Sequence, residues 1–128
     1  MFPKLMCDDS STPEDSGLMA FSRLSLEASA ICGFPLGAAE EYKSHLEAAG
    51  FVDVVERRFK VPSSPWPKDQ RLKLIGAFEL HNLIAGLSGM SLRMFSKAFG
   101  WSQERTEVYL IKVRRDMKNL NYHTYWDL

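Results

Sequence analysis

Leu74-Ile75-Gly76-Ala77-Phe78-Glu79-Leu80-His81-Asn82-Leu83-Ile84-Ala85-Gly86-Leu87 is apolar on nearly every side of a helical wheel, interrupted only by Glu79, His81 and Asn82. A helix without a clean polar face is normally buried over most of its circumference. The stretch is therefore expected at the centre of the fold, within a helix over residues 68–87, with the rest of the chain packed around it. Its three polar residues then need partners or a purpose.

Downstream, Ser88-Gly89 is expected to end this helix. A fourth helical segment over 90–99 carries Leu92, Phe95 and Phe99 before Gly100 closes it. Ser102 caps a last helix over 103–118, with Val108, Leu110, Ile111 and Val113 inward and basic residues gathered near its C-terminal end. The closing Asn121-Tyr122-His123-Thr124-Tyr125-Trp126 alternates and is aromatic, the mark of a terminal strand over 121–127.

Upstream, three prolines make residues 62–67 a turn, since proline fits neither a ladder nor a helix interior. Residues 51–61 have period two, with Val52 and Val54 opposite Asp53 and Val55, and read as a strand. Residues 37–49 read as a short helix with Tyr42, Leu46 and Ala49 on its apolar side. Ser11-Thr12-Pro13-Glu14-Asp15 is a helix start for residues 13–32, where Leu18, Phe21, Leu24, Ala28 and Ile31 recur at helical spacing before Gly33 and Pro35. Residues 1–11 are an irregular leader. The whole is one helix-rich α+β domain over 1–128, four to five helices on a short antiparallel sheet.

Sixteen basic residues balance sixteen acidic ones, so no global field draws the chain to nucleic acid or to an acidic membrane surface. No run approaches the roughly 20 apolar residues of a membrane span. Cys7 and Cys32 sit in no metal-ligand spacing and read as reduced thiols, and Asp8 and Asp9 lack a third oxygen ligand nearby. No cofactor, no metal and a cytoplasmic location are expected.

Three pieces now carry a resemblance. Gly50-Phe51-Val52-Asp53-Val54-Val55-Glu56-Arg57, Pro65-Trp66-Pro67-Lys68-Asp69 and His123-Thr124-Tyr125-Trp126 resemble the C-terminal half of the fungal LaeA-like, S-adenosylmethionine-dependent methyltransferases. Order and spacing agree from about Pro13 to the end, through residues 87–92 and Gly100-Trp101-Ser102. The resemblance implies that residues 51–61 and 121–127 are the sixth and seventh strands of that fold, and that the helical stretch between them lies over an acceptor-substrate pocket. The glycine-rich turn that holds the methyl donor in that family has no counterpart in these residues, so cofactor-binding residues are not carried over and the segment reads as a truncated methyltransferase fold. The seventh strand is then expected to have a bare edge, of the kind proteins cover or pair. A homodimer through strand 121–127 would complete the sheet.

Glu79, if buried, would have a raised pKa suited to a general acid, and His81 and His123 are the other catalytic candidates. Residues 79 and 81 point roughly 200° apart on a helix, so one faces a ligand and the other core or partner. Trp66, Phe78, Asn82, Tyr122, Tyr125 and Trp126 are the candidate walls of a pocket for an apolar small molecule. The blander alternatives are a solvated Glu79, a packed His81 and strand aromatics that simply fill a core. Three functions remain open: a cofactor-independent cyclase, pericyclase or isomerase acting on a polyketide- or terpenoid-like intermediate; a non-catalytic subunit of a full-length methyltransferase or regulatory complex; and an inactive remnant.

Overall fold

The computed structural model describes residues 4–128, and of the 1–11 leader residues 1–3 lie outside them. Four helices and three short strands follow in the order β1 (Met6–Cys7), α1 (Gly17–Ile31), α2 (Tyr42–Ala48), β2 (Lys60–Pro62), α3 (Gln70–Phe99), α4 (Gln103–Met117) and β3 (Thr124–Asp127), with a 3-10 turn over Leu36–Glu41 leading into α2. The helix-rich α+β class expected from the sequence is the architecture found.

The largest departure is α3. Ser88-Gly89 does not end it, and one helix of 30 residues runs from its Asp69 cap to Gly100, which closes it in the left-handed conformation at φ 66°. Packing holds the weak point helical: the Arg114 guanidinium donates to Ser88 Oγ at 2.6 Å, and Ser91 Oγ donates back to the Leu87 carbonyl at 2.7 Å. A glycine in helical φ costs only about 1 kcal/mol against alanine, which the contacts with α4 offset.

The core lies between α1, the second half of α3 and α4. Ala28, Leu87, Phe95, Leu110 and Val113 are wholly buried there, and Phe95 meets Phe21, Phe99, Trp101 and Tyr109 ring to ring. Val108 and Ile111, expected inward on α4, are exposed instead; the buried stripe is Thr106, Leu110, Val113 and Met117. The first helix begins four residues later than expected. Ser16 caps it, accepting from the Met19 amide, while the buried Asp116 carboxylate of α4 accepts from the Gly17 amide at 2.6 Å. A carboxylate on the first amides of a helix satisfies orphan donors and complements the dipole.

The sheet order is β1-β3-β2, all antiparallel. Met6 and Cys7 pair with Tyr125 and Thr124, and Lys60, Val61 and Pro62 with Asp127, Trp126 and Tyr125. This corrects two expectations. The leader is not irregular, because it supplies an outer strand; and the terminal strand is central, paired with β1 at 124–125 and with β2 at 125–127. The argument for a homodimer through 121–127 therefore loses its premise.

Residues 51–59 do not form the expected strand. Asp53 takes a left-handed φ of 56°, which breaks the extended run, and only Phe59, in reciprocal hydrogen bonds with Leu128, prolongs the ladder below β2. No residue from 33 to 60 is buried. Tyr42, Phe51, Val52, Val55 and Phe59 are more than half exposed there, so the apolar side read for α2 meets solvent. The first half of α3, expected at the centre, is likewise open: Leu74 is 58% and Phe78 69% exposed.

Candidate functional site

A cavity of about 180 Å³ opens where the leader, β2, β3 and the 62–67 loop meet the start of α3, lined by Asp8, Asp9, Lys60, Trp66, His123 and Tyr125 with Pro62, Pro67 and Leu72. Its frame is backbone-deep. Ser63 donates its amide and hydroxyl to the Thr124 carbonyl, and Trp66 Nε1 donates to the same oxygen at 2.9 Å. On the other side, Gly76 lets α3 approach the loop. A Cβ there would stand 2.2 Å from the Ser64 carbonyl oxygen.

Two charged groupings line this cavity. In the first, the Asp9 carboxylate and His123 Nδ1 are 2.5 Å apart, and the His123 ring stacks on Trp66 with centroids 4.7 Å apart. Ser11 fixes both members: its amide donates to Asp9 Oδ1 at 3.0 Å and its hydroxyl accepts from the His123 amide at 2.9 Å. Ser10, at a φ of 57°, turns the leader so that this is possible. Hydrogen bonds from Ser11 first, then His123, hold the Asp9 carboxyl far below the usual carboxylate range. An ionised Asp9 only accepts, so Nδ1 carries the proton and the neutral ring's lone pair is on Nε2. That nitrogen has no hydrogen-bond partner among the described residues.

In the second grouping, Asp8 accepts from Lys60 Nζ at 2.6 Å and from the Tyr125 hydroxyl at 2.7 Å, and the ammonium sits 4.4 Å above the Tyr125 ring. Lys60 and then Tyr125 push the Asp8 carboxyl down; the bond to Asp8 raises both the Lys60 ammonium and the Tyr125 hydroxyl. Cys7 lies at the edge of the site. Burial pushes its thiol up, but bonds from Ser11 and Thr12 outweigh that and leave it below its ordinary value.

Of the residues proposed from sequence, Trp66, His123 and Tyr125 come together in this cavity. The others do not. Strand alternation sends Trp126 into the core with Leu5, Leu18, Phe21 and Met117. Tyr122 is half-buried outside the lining, Phe78, His81 and Asn82 are exposed on α3, and Glu79 is half-buried there, its carboxyl raised by burial. Neither Glu79 nor His81 reaches the cavity. Asp8, Asp9, Ser11 and Lys60 were missed. The usable signal was a short apolar run, Leu5-Met6-Cys7, stopped by a cluster of turn-forming Asp and Ser residues.

Among the described residues, no group of three or more His, Cys, Asp or Glu could hold a metal ion, and no helix is long and apolar enough to cross a membrane. Cys7 and Cys32 are free thiols.

Comparison with known proteins gives distant homology over nearly the whole chain. The chain is 29% identical over 119 residues to the probable methyltransferase tdiE of Emericella nidulans, covering 93% of itself and 38% of that protein. It is 28% identical over 120 residues to the methyltransferase pytC of Aspergillus terreus, with 94% and 37% covered. Against the secondary metabolism regulator laeA of Fusarium oxysporum, identity is 27% over 123 residues, with 95% and 39% covered. The chain thus spans well under half the length of these curated relatives. No family model matches it, and no solved structure does. The resemblance expected from residues 50–57, 65–69 and 123–126 is shown as a relation to fungal methyltransferases and secondary-metabolism regulators.

Proposed function

We propose that this chain binds an apolar small molecule of fungal specialised metabolism in the Trp66–Tyr125 cavity and rearranges it without a cofactor, as an isomerase or cyclase. The observation that carries the reading is the cavity itself. It has aromatic and proline walls with two fixed polar groupings, the composition of a site that orients an apolar ligand through a few placed polar atoms. Positioning and preorganised hydrogen bonds are sources of rate enhancement that need no bound group. The relatives named for secondary metabolism supply the substrate context.

The test is a gene deletion followed by mass spectrometry of the accumulating metabolite and its incubation with purified chain. Conversion that is lost in Trp66→Ala supports the reading; an unchanged metabolite sinks it.

A second reading, a non-catalytic subunit paired with a methyltransferase, is favoured by the open apolar face of Leu74, Ile75 and Phe78 and by exposed Phe51, Val52, Val55 and Phe59. Apolar patches of that kind mark interaction surfaces. The same face, rather than β3, would serve a homodimer. Co-purification of a methyltransferase that is lost in Phe78→Asp supports the subunit reading, and a chain that stays monomeric and alone at micromolar concentration removes it.

A further inference from the structure

We propose that His123 is a general base, oriented by Asp9, for a small planar molecule that gives up a proton next to an electron-withdrawing group. The inference deepens the reading of the cavity as a small-molecule site and rests on it. Three observations converge. His123 lines the cavity, its Nδ1 is engaged by Asp9 at 2.5 Å, and its Nε2 is without a partner among the described residues. The ring is fixed by three contacts, by Asp9 at Nδ1, by Trp66 across its face and by Ser11 at its backbone amide. A base so held needs no reorganisation at the moment of proton transfer, and a carboxylate behind the ring stabilises the imidazolium that forms.

The ligand class follows from the walls. At about 180 Å³ the cavity is smaller than the ~300–1,000 Å³ of drug-sized sites, so it takes one or two fused rings rather than an extended chain. Trp66, Pro62, Pro67 and Leu72 offer flat and apolar contact, which suits a planar π-system. The Lys60 ammonium lines the same cavity; one of its protons is on Asp8, and the others can receive negative charge on the deprotonated ligand. Proton out at Nε2 and charge held at Lys60 is the chemistry of enolisation and of base-initiated ring closure.

A nitrobenzisoxazole tests this in the full chain. The base takes its ring C–H proton, the C–H electrons complete a nitrile, the N–O bond breaks and a coloured phenolate leaves, with no other reactant. Turnover above that of free imidazole at equal concentration is expected. It should fall at least tenfold in His123→Ala and be partly restored there, not in the wild type, by added imidazole. Asp9→Asn should lower kcat several-fold with KM unchanged, and Glu79→Gln, outside the cavity, should change neither. Equal turnover in His123→Ala, or loss in Lys60→Met in its place, overturns the assignment. Binding of the unreactive isostere nitroindole separates the failures. Nitroindole binding that is lost in Trp66→Ala, without turnover of the probe, removes the base and leaves the cavity reading, whereas no binding at all removes both.

Discussion

The two halves of α3 have the same kind of sequence and opposite surroundings. From Leu83 to Phe99 the large apolar residues other than Met90 are buried or half-buried, with Leu87 and Phe95 fully buried between α1 and α4; from Gln70 to Asn82 the equally apolar Leu72, Leu74, Ile75 and Phe78 face outward, and only Gly76 is buried. Apolar content fixes what a surface could bury, because the driving force scales with area removed from water. It does not fix what does the burying. In the second half the partners lie within these 128 residues. In the first half, the 62–67 loop covers one side and the rest is open.

The contrast can be broken most directly by truncating one ring in each half. Phe95→Ala removes a fully buried ring at the centre of an aromatic cluster and should cost about 3–5 kcal/mol of unfolding free energy, read from urea denaturation. A cost under about 1 kcal/mol would mean that the C-terminal half is not the core.

Glycine substitutions give the next largest effect, and they reverse in sign along the helix. Alanine normally stabilises a helix interior by about 1 kcal/mol over glycine. At Gly89, where an added Cβ has nothing within 4 Å, that gain should be realised. At Gly76 the Cβ meets the Ser64 carbonyl 2.2 Å away, a backbone atom that cannot swing aside, so Gly76→Ala should cost about 1–3 kcal/mol despite better propensity. It should also move Trp66 fluorescence, because Ser64 and Trp66 belong to the same loop.

Much of this architecture was legible and the reasons are local. Ser102 and Gly100 cap where the side chain or φ dictates, and the spacing of Leu18, Phe21 and Ala28 gives the α1 face that is buried. What failed depended on partners far along the chain. The Ser88-Gly89 break is overridden by Arg114, 26 residues away; the leader becomes a strand only because β3, more than a hundred residues later, accepts it. The candidate site failed in the same way. His123, Trp66 and Tyr125 were readable as aromatic tips on a strand and a turn, whereas Asp8 and Asp9 acquire meaning only through bonds to Tyr125 and His123.

Acid should expose this dependence before it touches the helical core. Asp8 and Asp9 have folded pKa values below their unfolded ones, so their contribution is fully present above the ordinary carboxylate range near pH 4 and is lost as pH falls below it. Amide exchange at Met6, Cys7 and Ser11 should therefore accelerate below about pH 4 while Phe95 and Leu110 stay protected. Lys60 runs the other way: its ammonium is raised by Asp8, so its share persists at neutral pH and is lost only as alkali passes its folded value. Simultaneous loss of protection in leader and core would show that the leader is not a separable element.

The smallest effect is the sharpest for the open half of α3. Phe78 is 69% exposed, and truncating a side chain already in water removes little buried area, so Phe78→Ser should change stability by no more than about 0.5 kcal/mol. A protein that needed this face only for its own folding would have no use for a large aromatic there, since serine is soluble and cheap in helix propensity. If the face serves a partner, the same substitution leaves the urea midpoint unchanged while weakening the complex, because exposed rings become the buried anchors of an interface. A cost above about 2 kcal/mol in the isolated chain would place Phe78 in a self-contact instead, and the two halves of α3 would then be alike after all.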